Sequence, residues 1–283
     1  MPELPEVESI RSMLEKRVLN KKISKLEILD TKVIARPEPD SFCSAILGRK
    51  ILGMRRNAKY LIFDFDDASK MVVHLRMTGN LLYMDGSSKI NIKSDENGLP
   101  RHTRVIFTLN DGSLLCFCDQ RKFGRLWLYS SDEDYKACGI DRLGPEPLTA
   151  DFSKEYLCKC LAKTQRQIKT VLLDQGIVSG IGNIYSDEIL FKAGILPQTR
   201  ACDISKSRAL SLHDAINNVI SNGIKANRRS IEAYMLGARE QYSDLEKMNI
   251  YQKSGKKCKV CGTKIEKLTI GGRSSCFCPS CQR

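Results

Sequence analysis

Apolar positions recur along this chain with two different periods, and the changes of period divide it. After Pro5, Val7, Ile10, Met13, Leu14 and Val18 form one stripe at helical spacing with charges opposite, which predicts an amphipathic helix. From about Ile23 to Tyr129 the period shortens. KISKLEILD, KYLIFDFDD, MVVHLRM, TRVIFTLND, SLLCFCD and GRLWLY are short apolar or alternating runs broken by Gly, Asn and Asp, the pattern of a β-sandwich or barrel. The polar stretch from Asp85 to Pro100 reads as a long exposed loop. Past Gly144-Pro145-Glu146-Pro147, a linker by composition, the helical period returns in FSKEYLCKCLAK, QIKTVLLDQ, NIYSDEILFKAG and SRALSLHDAINNVISNGIKA. No internal repeat and no low-complexity tract interrupts this order.

The chain's 283 residues suffice for one to two domains with a buried core. No apolar run approaches the roughly 18 residues of a membrane span. The N-terminus lacks a basic segment followed by an apolar one, so no secretory signal is expected and a cytoplasmic location is. Charge adds more. Forty-six Lys and Arg against 33 Asp and Glu give a formal net charge of +13, which favours a polyanionic partner such as nucleic acid. The excess is uneven: from Tyr251 to Arg283 there are eight basic residues and one acid, Glu266.

Twelve cysteines without a secretory signal argue against a disulfide framework. Eight of them (Cys43, Cys116, Cys118, Cys138, Cys158, Cys160, Cys202 and Cys276) lack metal-ligand spacing and read as reduced thiols. Cys258-x-x-Cys261 and Cys278-x-x-Cys281 differ. Each knuckle puts two thiolates on a tight turn, and a hairpin between them closes a tetrahedral four-sulfur site suited to one structural zinc ion. Four unbound thiols or an iron–sulfur cluster are the alternatives. Lys253, Lys256, Lys257, Lys259 and Arg273 flank or interrupt the pattern and suit phosphate contact. Arg273 falls near the middle of the presumed hairpin turn.

The first residues are Met1-Pro2-Glu3-Leu4-Pro5-Glu6. An initiator Met before a small residue is normally removed, which would free the secondary amine of Pro2. An α-amino group titrates at about 7.7–8.0, so part of it is neutral and nucleophilic near neutral pH. Attack on a sugar carbon would give an iminium, with Glu3 beside it to move protons. Taken alone, the same letters also describe an ordinary helix start, with Pro and Glu in the first turn.

Met1-Pro-Glu-Leu-Pro-Glu-Val, a β-rich first half, Gly-Ile-Gly-Asn-Ile-Tyr between helices and a four-Cys hairpin, in this order, resemble the bacterial formamidopyrimidine-DNA glycosylases from end to end. The resemblance implies an α+β multidomain fold: an N-terminal β-sandwich flanked by helices, then a helical helix–two-turn–helix domain carrying a four-Cys zinc ribbon. It implies boundaries at 1–132 for the catalytic sandwich, 133–150 for a linker, 151–250 for the helical domain and 251–283 for the ribbon. It also implies a monomeric base-excision repair enzyme that acts on double-stranded DNA containing a damaged base. Such an enzyme removes 8-oxoguanine and formamidopyrimidines and cuts the abasic strand by β,δ-elimination. Its setting would be bacterial and cytoplasmic, at the nucleoid when bound to DNA.

The resemblance also assigns residues. Pro2 would attack the anomeric carbon, Glu3 would protonate the opened sugar, and Glu6 would support the site. Lys59, in Arg-Arg-Asn-Ala-Lys-Tyr, would donate a proton and contact lesion or phosphate; otherwise it is an exposed charge at a strand start. Met77, in His-Leu-Arg-Met-Thr-Gly, and Arg121 with Phe123, in Asp-Gln-Arg-Lys-Phe-Gly, would fill the void left by a flipped base. Arg121 would also address the orphaned base. Otherwise Met77 and Phe123 are core residues at strand ends. Asn183, His102 and Lys169 would contact phosphate, and Arg273 would complete the catalytic set.

Three departures stand out. Where the family often carries a Gly-Gly-Thr-Thr-like segment in a mobile loop over the flipped base, Ala226-Asn227-Arg228-Arg229-Ser230 has no glycine. Thr164 replaces a phosphate-binding lysine, and the Asp85–Pro100 loop is longer than usual. Two other readings remain at this point. One is an endonuclease VIII-like glycosylase for oxidised pyrimidines. The other is a non-catalytic zinc-ribbon DNA-binding protein.

Overall fold

The opening helix is α1, Leu4–Val18, in the computed structural model, which describes residues 2–85, 98–130, 138–235 and 247–283, with 229–235 as backbone alone. All five residues of the predicted stripe are buried in it. Glu6 lies in its first turn and Lys16 and Arg17 in its last, each sign matched to the helix dipole. The chain groups into two units, Met1–Asp141 with Ala226–Ser243, and Arg142–Lys225 with Asp244–Arg283.

In the first unit, α1 is followed by β1 (Ile23–Ile28), β2 (Ile34–Arg36), α2 (Pro39–Ile46), β3 (Ile51–Asn57), β4 (Tyr60–Phe65) and β5 (Lys70–His74). Then come β6 (Gly79–Met84), β7 (Thr103–Leu109), β8 (Leu114–Asp119) and β9 (Arg125–Tyr129). Two sheets result: an antiparallel one in the order β1-β7-β8-β6, and one in the order β2-β9-β5-β4-β3, in which only β2 and β9 run parallel. Their inner faces share one apolar core, in which Phe63, Val73, Phe107 and Phe117 meet Val7 and Leu14 of α1. The first half is therefore a β-sandwich with helices packed on it. Residues 86–97 of the expected Asp85–Pro100 loop lie outside the described residues.

The second unit carries α3 (Lys154–Ala162), α4 (Ile168–Leu173), α5 (Asn183–Ala193) and most of α6 (Lys206–Met235), then the hairpin β10 (Glu266–Ile270) and β11 (Arg273–Phe277). Ser153 caps α3 by accepting from the Tyr156 N–H, and left-handed Gly194 ends α5. Leu157, Ile168, Leu172, Ile189, Leu212 and Ile216 are buried at helical spacings. Ile250, Cys258, Ile265, Cys276 and Cys278 form a small separate cluster under the hairpin. Among the described residues, no helix is long and apolar enough to cross a membrane.

Candidate active site and nucleic-acid interface

The N-terminal turn is buried. Pro2 and Glu3 are enclosed, and Glu3 occupies the N-cap of α1 in an extended conformation. Glu6, one turn in, sends its carboxylate back to the Glu3 backbone, which donates to Oε2 at 2.9 Å. Its other oxygen accepts from Asn227 Nδ2 at 2.7 Å. The expectation of a capping loop at Ala226–Ser230 is thus corrected. The segment continues α6, and its Asn227 side chain is buried against Glu6. Nothing in the composition of Ala226–Ser230 breaks a helix once the glycines are gone.

Lys59 sits in the turn between β3 and β4 and is buried, not an exposed charge at a strand start. The turn is tied to α1. Arg56 donates to Glu8 at 2.9 Å and to the Ala58 carbonyl at 3.1 Å. Burial works to raise the Glu8 carboxyl, but hydrogen bonds from Arg11 and Arg56 hold it below its ordinary range. The sequence reading overlooked His74, which pairs with Tyr60 across the strands, next to Lys59, and packs edge-on against the Tyr60 ring at 4.5 Å. Burial pushes its pKa down to about 3, and the charges of Arg76 and Lys59 push the same way. A neutral imidazole therefore stands beside the lysine, its Nδ1 accepting from the Arg76 N–H at 3.0 Å. Its only sequence signal is its place at the head of His-Leu-Arg-Met-Thr-Gly.

The three wedge candidates meet at the surface. Met77 is 44% and Phe123 48% exposed, so neither is a core residue. The Arg121 guanidinium lies 4.8 Å from the centre of the Phe123 ring and donates to Met77 Sδ at 3.1 Å. Asp119, fully buried at the end of β8, builds this arrangement. Its carboxylate accepts from the backbone of Arg121 at 3.1 Å and of Gly124 at 2.7 Å, and from the Thr78 hydroxyl next to Met77. Both motif glycines are sites of close approach: a Cβ on Gly124 would lie 2.5 Å from Phe117 Cζ, and one on Gly79 would lie 2.3 Å from the Leu75 oxygen. Asp119 was not singled out from the sequence, although it opens the Asp-Gln-Arg-Lys-Phe-Gly motif. His102 is exposed at the base of the same turn, its carbonyl accepting from the Asp119 N–H at 2.9 Å.

In the second unit, Gly180-Ile181-Gly182 leads into α5, with Gly182 as N-cap and Asn183 as first residue. Gln175 braces the loop, accepting from the Gly180 N–H and donating to the Ile181 carbonyl. Asn183 donates to the Ser274 carbonyl at 3.1 Å, which ties the start of α5 to the zinc hairpin. The hairpin turns at Gly271-Gly272, and Arg273 follows, exposed. Lys169 requires a correction. Expected at a phosphate, it is 0% exposed, and its ammonium bonds the Asp187 carboxylate. Asp187 also accepts from Ser275 Oγ at 2.6 Å and the Cys276 N–H at 3.1 Å. Burial raises the Asp187 carboxyl above its ordinary range, against the pull of Lys169. The resemblance placed Lys169 at a phosphate, but the buried Asp187 on α5 takes it inward. Beside it, Glu188 accepts the backbone N–H groups of Asn249, Ile250 and Tyr251, which anchors the segment entering the ribbon.

The thiols of Cys258, Cys261, Cys278 and Cys281 lie within 4.8 Å of one another. Zinc–sulfur bonds of about 2.3 Å require tetrahedral edges of about 3.8 Å. The Cys258–Cys281 and Cys261–Cys278 separations of 3.9 and 3.4 Å fit that size. The four residues hold one structural zinc ion, and four protein sulfurs leave no open position for catalysis.

A buried Pro2 at the head of α1, an exposed Met77–Arg121–Phe123 cluster and a zinc hairpin joined to the start of a glycine-led helix belong to a zinc-ribbon DNA glycosylase. Comparison with known proteins follows the same divisions. The N-terminal domain model of formamidopyrimidine-DNA glycosylase matches residues 1–126, its H2TH domain model matches 143–235, and the zinc finger found in FPG and IleRS matches 255–283. A formamidopyrimidine-DNA glycosylase of Pelotomaculum thermopropionicum is 39% identical over 100% of this chain and 99% of its own. That of Desulforamulus reducens is 41% identical with the same coverage. The crystal structure of Lactococcus lactis Fpg in complex with abasic-site DNA superposes with a TM-score of 0.87 at 32% identity, covering 99% of both chains. The chain belongs to the formamidopyrimidine-DNA glycosylase family. A zinc-ribbon binder with no enzymatic half would have matched in the ribbon alone.

Proposed function

We propose that this enzyme of base-excision repair removes oxidised purines, 8-oxoguanine and formamidopyrimidines, from duplex DNA and then cuts the abasic strand through a Schiff base on Pro2. The Pro2 nitrogen attacks C1′ as the glycosidic bond breaks, and the base leaves with the bonding pair and a proton. Glu3 protonates the ring oxygen as the sugar opens to the iminium. The iminium acidifies the C2′ proton, whose loss expels the 3′ phosphate. A second elimination expels the 5′ phosphate. Lys59 supplies protons and positive charge beside these leaving groups, and Glu6 holds the turn. Met77, Arg121 and Phe123 fill the gap left by the flipped nucleotide. His102, Asn183 and Arg273 bind backbone phosphates. Residues 1–132 carry the chemistry, 151–250 grip the duplex, and 251–283 complete the grip. The enzyme works as a monomer in the bacterial cytoplasm, at the nucleoid when on DNA.

The observation that carries this reading is the burial of Pro2 and Glu3 at the head of α1. Residues this close to the start of α1 often lie open to solvent, whereas Pro2 and Glu3 are held in the fold. The Lactococcus lactis relative has been captured with FAPY-dG DNA and with DNA containing an oxidised pyrimidine. Oxidised pyrimidines are therefore a second substrate class to assay. The test is borohydride reduction of untagged, Met-processed protein on a duplex carrying 8-oxoguanine opposite cytosine. A covalent band that disappears on N-terminal acetylation is expected. A band that survives acetylation would remove Pro2 from its role. A band only on a preformed abasic duplex would keep the lyase chemistry and move the lesion preference.

A further inference from the structure

We propose that Asn227 is a positioning residue for the N-terminal nucleophile: its side-chain amide clamps Glu6, and Glu6 clamps the backbone of Glu3. The inference rests on the reading of Pro2 as nucleophile. It starts from a contact between residues 221 positions apart, Asn227 Nδ2 to Glu6 Oε1 at 2.7 Å, with both side chains 2% exposed. The second Glu6 oxygen takes the Glu3 N–H at 2.9 Å. A carboxylate bonded through one oxygen can still swivel about that bond. Bonded through both, to partners on different elements, it is fixed in orientation. The residue it fixes is Glu3, whose N–H belongs to the peptide joining it to Pro2. Placement of the attacking nitrogen against C1′ then depends on a side chain from the far part of α6.

The choice of residue matters. A lysine or arginine at 227 would also bind Glu6 but would bring a cation into the buried turn. An asparagine amide donates without changing the charge there. The Asn227 amide thus links α6 to the N-terminal turn without adding charge. Misplacing a nucleophile by a fraction of an ångström slows attack while leaving the duplex contacts of other residues intact. The signature of the clamp is a loss in the chemical step at saturating DNA.

The experiment uses full-length, zinc-loaded, Met-processed protein and single-turnover borohydride trapping on a preformed abasic duplex and on the 8-oxoguanine duplex. Duplex affinity is measured in parallel on an uncleavable abasic analogue. Asn227→Ala should slow trapping roughly 10- to 100-fold on both duplexes, as expected for loss of a buried hydrogen bond to a charged group, with affinity changed less than about threefold. Asn227→Leu, close in shape but with no donor, should behave alike, and it supplies the result if the alanine variant does not fold. Asn227→Gln, which keeps the donor on a longer arm, should recover part of the rate. Wild-type trapping rates in Asn227→Ala or Asn227→Leu would overturn the proposal, as would a rate loss matched by an equal loss of affinity. No covalent band from the wild-type protein on either duplex would be a different failure, that of the Pro2 reading itself.

Discussion

Among the described residues each unit keeps one buried aspartate, and the two are satisfied in opposite ways. Asp119 in the sandwich takes backbone N–H groups from Arg121 and Gly124 and a hydroxyl from Thr78. Arg104 reaches its backbone carbonyl, not its carboxylate. Asp187 in the helical unit takes the Lys169 ammonium together with Ser275 and Cys276. Asp119 holds the turn that presents Arg121, and Asp187 holds the strand that begins at the exposed Arg273. The large sandwich core already fixes β8, which ends at Asp119, and β6, which begins directly after Thr78, so backbone amides at set positions suffice to shape the turn. The ribbon has only a handful of buried side chains of its own. It is held by metal, and a cation inside α4 and α5 fixes where its second strand docks.

Metal removal is the strongest way to break this contrast. Structural zinc contributes on the order of 10 kcal/mol of apparent binding energy in small ribbons, far more than their apolar burial. Chelation should unfold residues 251–283 and sharply weaken duplex binding. The sandwich should not respond. Its reporter is built in, because the single tryptophan, Trp127, lies on β9 of the first unit. Loss of the ribbon's amide resonances with unchanged Trp127 emission is the expected result. A shift in Trp127 emission would mean that the sandwich, too, depends on the ion.

The contrast also shows how much the sequence discloses. The α1 stripe and the runs that became β4, β5, β7, β8 and β9 were legible because their burial follows a simple period. β3 was not, since ILGMRRN carries Arg55 and Arg56 before its last residue, Asn57. The fold explains them, with Arg55 on Asp64 and Arg56 on Glu8. β2 has three residues and α2 buries only Phe42 and Ile46, too little for a period to register. The zinc ligands were fully legible, because knuckle spacing is local geometry. The wedge residues were named through resemblance, but Asp119, which shapes their turn, was passed over. Lys169 was misplaced for the same reason: its partner is 18 residues away on another helix. Local letters disclose periods and turns. Pairings between elements, such as Lys169 with Asp187 or Asn227 with Glu6, exist only once the chain is folded.

The two aspartates can be compared directly by a matched pair of substitutions. Lys169→Met leaves the Asp187 carboxylate buried without its cation and should cost the second unit about 3–5 kcal/mol. Asp119→Asn keeps the shape and one acceptor but turns an NH2 toward a backbone donor, and should cost the first unit about 1–3 kcal/mol. Urea unfolding followed separately in each unit gives both numbers. The reverse ranking would mean that the sandwich relies on its buried charge more than the helical unit does, and the contrast would fail.

The smallest effect on stability should accompany one of the clearest effects on function. Met77 is nearly half exposed, so Met77→Ala removes little buried surface and should change unfolding free energy by no more than about 0.5 kcal/mol. Its thioether, however, accepts from Arg121, and together with Phe123 it presents the apolar edge of the proposed wedge. Unstacking one base step costs a few kcal/mol, and a truncated wedge recovers less of it. Excision from the 8-oxoguanine duplex should therefore slow by on the order of tenfold. Trapping on a single-stranded abasic oligonucleotide, where no stack has to be opened, should be nearly unaffected. Equal losses on both substrates would show that Met77 acts on the chemistry and not on the stack. Equal retention on both would show that Arg121 and Phe123 fill the gap without it.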